Sequence, residues 1–358
     1  MLESSGNPES RRRESVFPPS GGVAVVVNGN AKNVTGEVIS NLDQILRGTD
    51  LFVSHSLEQA AEIAETLVDR GYGTVLTGGG DGTFTVMVSE VVRVADQKGK
   101  PRPRFGFIKL GTGNALAHVV GASGKRGLAA DIRRLKEEAG SRKIGLVEVE
   151  GLLTPFCGFG FDAELLRDYA LIKDRLSRSA LQPFAAGLLS YAASAATRTL
   201  PAQWLKRMPH CRIINCGEPA QKLGRQGRVL GRPIQTGDVV YEGPARMVGL
   251  STIPYLGFGL RMFPYAEERP DRMHLRITTM APSEFLLNLR AVWKGEYENP
   301  TTTFDYLVQH VRVEMDPSTP FQVGGDVVDE RCSVEVRLSA HPIRLVDFYA
   351  PPRATQAD

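Results

Sequence analysis

The sequence predicts an α/β N-terminal domain built on a parallel sheet, followed by a mainly antiparallel β-sandwich. Three observations carry this reading. From Val23 to Val94, apolar β-branched runs alternate with segments of helical spacing, the order that builds a parallel sheet. Two glycine-rich runs each follow a strand-like segment, and loops at strand C-terminal ends form the ligand rim of an open sheet. After about residue 143 the texture changes to short β-rich segments separated by turn residues.

The first strand, Val23 to Asn28, is a continuous β-branched run of the kind buried on both faces of a parallel sheet. It ends in Asn28-Gly29-Asn30, a turn signal and a candidate ligand loop. Val34 to Leu46 has helical spacing, and Leu51 to Val53 reads as the second strand. Ser56 is placed to cap a helix running to Arg70, with Gln59 completing a capping box. Thr74 to Leu76 is extended and leads into Thr77-Gly78-Gly79-Gly80-Asp81-Gly82-Thr83, before a helical stretch from Phe84 to Val94. Three adjacent glycines cost backbone entropy and need a steric reason: close approach to a ligand, or φ > 0. Asp81 places a carboxylate in the middle of that turn. Phe105 to Ile108 is a further strand, followed by Lys109-Leu110-Gly111-Thr112-Gly113-Asn114. Amides at the starts of the helices after both loops favour an anion, most often phosphate.

The second domain is expected from Ile144 to Val149, Cys211 to Asn215, Gly237 to Tyr241, Met247 to Ser251, Met273 to Thr278, Val311 to Met315, Val334 to Leu338 and Ile343 to Val346. One helical stretch, Pro282 to Lys294, interrupts them. The division reads as a disordered tail over 1–21, a nucleotide-binding domain over 22–143 and a β-rich substrate domain over 144–340. The segment 341–358 is a candidate to return to the first domain, and the cleft between the domains is the expected site.

Composition excludes several classes. At 358 residues the chain is long for one core. Its hydrophobic content of 42% and charged content of 23% are ordinary for a globular protein. A net charge of +3 is too small to argue for nucleic acid. The first twenty residues are polar and lack an apolar signal-peptide core. No window is apolar enough to span a bilayer; the nearest, Ala180 to Ala196, reads as a buried helix. Cys157, Cys211, Cys216 and Cys332 lack metal-ligand spacing and read as reduced and structural. Residues 201–235 hold seven basic residues (Lys206, Arg207, Arg212, Lys222, Arg225, Arg228, Arg232) against Glu218 alone. That is either a solvated loop or a surface drawn to anionic lipid headgroups. The glycine runs are neither G-x-x-x-x-G-K-[ST] nor G-x-G-x-x-G, so a Walker-type NTPase and a dinucleotide fingerprint are excluded.

Taken together, Val27-Asn28, Gly79-Gly80-Asp81-Gly82-Thr83, Leu110-Gly111-Thr112-Gly113-Asn114-Ala115-Leu116-Ala117, Gly158 to Ala163 and Gly324-Gly325-Asp326 resemble the diacylglycerol kinase catalytic-domain superfamily. That superfamily includes bacterial soluble lipid kinases and the sphingosine and ceramide kinases. The G-T-G-N-A-L-A run looks closest to the sphingosine-type branch, and the first glycine motif is shared with NAD kinases. The resemblance implies a cytoplasmic, peripherally membrane-associated enzyme. Such an enzyme transfers the γ-phosphoryl of ATP to a lipid alcohol with Mg²⁺, a reaction governed by positioning and charge neutralisation. It implies that the Gly79–Thr83 amides cradle phosphates, Thr83 adding its hydroxyl, while Asn28, Asn30, Gly111, Thr112 and Asn114 complete the nucleotide pocket. Lys32 and Lys109 become candidate cations for the phosphates. Asp162 is expected to face the lipid headgroup, or else to N-cap the helix Ala163 to Leu171.

Departures from the pattern are as informative. Thr85 and Val86 stand where the family carries Asn-Glu, and Gly324 stands where Asp-Gly-Glu supplies the proposed general base. Asp326 is therefore the candidate base or metal-network acid, Asp81 the other catalytic carboxylate, and Asp271 the remaining candidate ligand for Mg²⁺. Two alternatives stay open: a soluble kinase of the NAD kinase type, and a catalytically silent nucleotide- or lipid-binding homologue.

Overall fold

The computed structural model describes residues 22–31, 33–46, 50–124, 127–136, 139–177 and 193–349. Both the expected tail and most of the Ala180 to Ala196 stretch lie outside these residues.

In the first domain, strands β1 (Val23–Asn28), β2 (Leu51–Ser54), β3 (Thr74–Gly79) and β4 (Arg104–Lys109) are parallel, in the order β2-β1-β3-β4. The central strands β1, β3 and β4 are covered on both faces, with Val25, Val27, Val75, Phe105 and Phe107 fully buried, whereas edge strand β2 is only partly buried. The connecting helices are α1 (Gly36–Leu46), α2 (Leu57–Asp69), α3 (Asp81–Gln97), α4 (Ala115–Val120) and α5 (Leu128–Lys136). The predicted capping box at α2 is present in shifted form. Ser56 Oγ accepts from the Gln59 amide at 3.2 Å, while Gln59 Oε1 accepts from the His55 amide at 2.8 Å.

The domain junction falls inside a segment that reads as one strand in the sequence. Gly145-Leu146 divides β5 (Ser141–Ile144), at the edge of the parallel sheet, from β6 (Val147–Val149) in the second sheet. Near the C-terminus the chain crosses back. Strand β18 (Ile343–Val346) inserts between β4, to which it is parallel, and β5, to which it is antiparallel. The outgoing and returning strands are tied together by Ser339 N–H to Leu146 O at 2.7 Å and Leu146 N–H to Ser339 Oγ at 3.1 Å.

Among the described residues the second domain is an antiparallel sheet of twelve strands that branches. Its trunk is the long hairpin of β16 (His310–Val323) and β17 (Asp326–Leu338). The first part of β16 pairs with β9 (His210–Asn215), and its last residues pair with β8 (Phe156–Gly160). The sheet then continues through β13 (Met247–Ser251), β14 (Met273–Thr278) and β15 (Thr303–Val308). Beyond β15 lie β10 (Ala220–Leu223) and the exposed edge strand β11 (Val229–Ile234). Strand β12 (Val239–Pro244) pairs with β9, and β7 (Leu152–Thr154) with β6. Phe159, Val248, Leu275, Val311, Val313 and Phe321, drawn from both arms, share one buried core.

Helix α6 (Phe161–Ser177) leaves the end of β8, and α7 (Leu200–Leu205) packs on α8 (Pro282–Leu287). The single helix expected over Pro282 to Lys294 is two, α8 and α9 (Leu289–Lys294), meeting at Asn288. Cys157 and Cys211 are buried and free as expected, whereas Cys332 lies on the surface of β17.

Candidate functional site

A groove of about 770 Å³ lies where the two domains meet. Its floor is made by the two glycine loops, and its opposite wall by α6 and the β16–β17 turn. The first loop is tighter than the sequence suggests. Strand β3 runs through Gly79 and α3 starts at Asp81, so Gly80 alone is the turn. None of Gly78, Gly79 and Gly80 takes a positive φ. The steric reason for their type is close packing within the protein. A Cβ on Gly79 would overlap the Thr83 hydroxyl, and one on Gly111 would overlap Gly80 Cα, because the two loops touch backbone to backbone.

Asp81 is correspondingly in the first turn of α3 rather than in mid-loop, and it is buried. Its Oδ2 accepts from the Ala115 amide at 2.8 Å and its Oδ1 from the Leu116 amide at 3.1 Å. The anion at the start of α4 is therefore this carboxylate, not a ligand phosphate. Asn114, in the left-handed region at φ 51°, closes the second loop with its own side chain: Oδ1 accepts from Gly111 N–H at 3.0 Å, and Nδ2 donates to Gly111 O at 2.7 Å. Asn28 Nδ2 donates to Thr83 Oγ1 at 3.2 Å, while its Oδ1 accepts from Asn30 N–H at 2.9 Å. What stays directed at the groove is the first turn of α3, whose leading amides have no intrahelical acceptor.

Of the predicted nucleotide residues, Asn28, Asn30, Gly80, Asp81, Gly82, Thr83, Gly111 and Thr112 line the groove; Gly79 and Asn114 stand behind it. Asp162 and Asp326 line the facing wall. Asp162 does not N-cap its helix, which begins one residue earlier at Phe161. Lys109 is outside the lining, and Lys32 is outside the described residues. Asp271 is not placed to share a metal with Asp326: it lies outside the groove lining, held by Arg269 at 2.6 Å and Arg272 at 2.9 Å.

Sequence reasoning missed Arg167, Tyr169 and Lys173 on α6, Gln322 on β16, and His55. The α6 set had a signal. Asp162, Leu166, Tyr169, Ala170 and Lys173 recur at helical spacing, and all five line the groove.

The site is rich in carboxylates that lack a close counter-ion. Burial pushes Asp81 up to about 6 despite its two amide bonds, and nearby Asp326 adds to the rise. Burial pushes Asp162 up to about 7, against a hydrogen bond from Gln322. Asp326 is an exposed residue at the start of β17, yet its carboxylate abuts Gly82 within the groove. There it is raised by burial and opposed by Lys173.

The two departures from the family pattern meet in space. Gly324 has φ +59°, and a Cβ there would overlap Thr85 Oγ1 and lie 2.9 Å from Thr154 Oγ1. Those two hydroxyls are 3.0 Å apart and hydrogen-bonded. A threonine at 85 thus occupies the room that a side chain at 324 would need.

Residues 21–148 match the diacylglycerol kinase catalytic domain family, so the N-terminal domain and both glycine loops carry that family's signature, as the motifs led us to expect. The match ends before Asp162 and the turn at 324–326. No curated protein matches the sequence. Solved structures from Bacillus anthracis str. Sterne share the fold across both domains. A candidate diacylglycerol kinase superimposes with a TM-score of 0.63 at 13% identity, over 91% of this chain and 96% of its own. A diacylglycerol kinase of the same strain gives 0.57 at 12% identity, over 93% and 98%.

Proposed function

We propose, from a diacylglycerol kinase catalytic domain over residues 21–148, that this protein is a lipid kinase. It transfers the γ-phosphoryl of ATP to a hydroxyl of a diacylglycerol-like or sphingoid lipid. The observation that carries the reading is the shared groove. The open first turn of α3 faces Asp162, Lys173 and Asp326 across one cavity large enough for a triphosphate and an acceptor. The Gly82 and Thr83 amides would receive phosphate oxygens, and Thr83 and Asn28 would fix their register. Lys173 and Arg167 bring positive charge to the opposite wall, where the transferring group accumulates negative charge.

Among the described residues no group of three His, Cys, Asp or Glu is arranged to hold a metal. Mg²⁺ at nucleotide sites needs only one or two carboxylates, with phosphates and waters completing its shell. Asp326, against Gly82 at the phosphate end, fits that single-ligand role. The ion would neutralise the β- and γ-oxygens when bound. The two aspartates then divide the labour, Asp326 toward phosphate and Asp162 toward acceptor.

Membrane contact has its best support at the start of the basic 201–235 stretch and the helices beside it, rather than along the stretch as a whole. Lys206 there is paired with Glu164 at 2.7 Å. Trp204 on α7 and Leu287 on α8 are 58% and 86% exposed on helices that pack together, with Arg207, Arg290 and Lys294 in the same elements or beside them. Amphipathic aromatic and leucine side chains flanked by cations suit an anionic bilayer surface.

The test is transfer from γ-labelled ATP with Mg²⁺ to dioctanoylglycerol or sphingosine in mixed micelles, with NAD offered separately without lipid. Label in a lipid supports the proposal. Label in NAD alone favours a soluble kinase, and ATP binding without transfer to any acceptor favours a silent binder.

A further inference from the structure

Granting the kinase reading, we propose that Asp162 is the general base, taking the proton from the acceptor hydroxyl in place of the late-turn aspartate absent at Gly324. The groove offers three carboxylates, and two are committed. Both oxygens of Asp81 are bound by α4 amides, so its lone pairs hold the second glycine loop. Asp326 abuts Gly82 at the start of α3, the end of the groove suited to phosphate.

Asp162 differs from both. Its Oδ2 accepts from Gln322 Nε2 at 3.0 Å, and its Oδ1 is buried with no hydrogen-bond partner. The Ala163 amide and the residue's own amide also ease its charge, neither reaching Oδ1 in hydrogen-bond geometry. Gln322 is anchored in turn, its Oε1 accepting from the Gly325 amide at 2.9 Å. One side chain therefore wires Asp162 to the turn where the missing aspartate would stand. Gly158 leaves the room: a Cβ there would sit 2.6 Å from Asp162 Oδ2. A base in a groove needs an uncommitted oxygen held in a fixed orientation, and Oδ1 of Asp162 is that atom.

In the step, the acceptor O–H bond breaks and its proton passes to Asp162 Oδ1. The freed lone pair forms the new O–P bond to the γ-phosphorus, and the bond from that phosphorus to the β–γ bridging oxygen breaks to release ADP. Burial sets the carboxyl near 7, where it exchanges a proton with little driving force either way. The charged and titratable groups around it are Glu164, Arg167, Tyr169 and Lys173 on α6, and Cys157 on β8. Asp326 stands on the same wall, and Asp81 and His55 stand across the groove.

The test compares Asp162→Asn with the unmodified protein, using ATP, Mg²⁺ and dioctanoylglycerol or sphingosine micelles. Asparagine keeps the bond from Gln322 and removes the base. The expected result is a fall in kcat of about 10²–10⁴-fold with ATP affinity kept within about threefold. In the unmodified enzyme kcat rises through about pH 7, and the variant loses that limb. A rise in KM with kcat nearly intact would overturn the assignment and leave Asp162 as a headgroup ligand only. Should the variant fail to fold, the unmodified enzyme still decides: a kcat flat between about pH 5.5 and 8.5 overturns the base. An unmodified protein that phosphorylates neither lipid sinks the kinase reading itself, and this inference with it.

Discussion

Two aspartates, Asp305 half-buried in the second sheet and Asp162 buried in the groove wall, show how the same residue type is used for opposite ends. Asp305 joins β15 to β14 through Arg276 (Nε at 2.7 Å and a second guanidinium nitrogen at 3.0 Å) and His274 at 2.8 Å. Burial alone would raise its carboxyl, but Arg276 and His274 outweigh it and hold the group well below the usual range. Asp162 is more completely buried and its one side-chain hydrogen bond comes from neutral Gln322, so its carboxyl goes the other way. The first arrangement fixes a sheet. The second keeps a proton-accepting oxygen available at a cost in stability, as expected of functional rather than architectural groups.

The sharpest way to break the comparison is to remove the compensated partner. Asp305→Ala leaves Arg276 and His274 buried without a counter-charge. It should destabilise the protein by about 3–5 kcal/mol in urea unfolding; a loss under about 1 kcal/mol would mean that the cluster is not structural. Next comes Asp81→Ala, which strips two amides of α4 of their acceptor and unpins the loops from each other. We expect about 2 kcal/mol of destabilisation together with loss of ATP binding by calorimetry. Unchanged ATP affinity would show that the loop brace is dispensable. Gly324→Asp, restoring the family residue, should lower activity and cost about 1–2 kcal/mol, because φ is positive and Thr85 fills the space. An accelerated enzyme would refute that steric account.

The smallest effect has the most telling sign. Asp162→Asn should stabilise the fold by about 1 kcal/mol at pH 8 while lowering kcat about 10²–10⁴-fold. Asp81 and Asp162 both bind their protons more tightly folded than unfolded. Their contribution to stability is present below about pH 4 and lost as pH rises through about 6 to 7. Unfolding followed at pH 5 and pH 8 should show the gap between the variant and the unmodified protein widening toward pH 8. A gap that narrows would contradict the origin assigned to it.

Most of the parallel sheet was legible because buried strands and capped helices leave local marks, as Val23 to Asn28 and Ser56 with Gln59 do. The Gly145-Leu146 crossing was not legible: Ile144 to Val149 is one apolar run whose halves join different sheets, a choice made by partners distant in sequence. The glycine loops were found, but their reason was not. Gly111 meets Gly80, and Asp81 reaches the start of α4, only once the fold brings β3 and β4 side by side. Lys173 sits on a helical stripe with Asp162, Leu166, Tyr169 and Ala170, a mark legible in the sequence, whereas Arg167 lies off that stripe. Gln322 had no local signal at all, since its role exists only where β16 passes α6.

The central claim is that the first turn of α3 and the second glycine loop close around a nucleoside triphosphate. Amide hydrogen exchange with and without a non-hydrolysable ATP analogue and Mg²⁺ tests it directly. The account predicts slowed exchange at Gly80 to Thr83 and Gly111 to Gly113, with the β14–β15 pair around Asp305 unchanged. Protection confined to other segments, or none at saturating analogue, would contradict it.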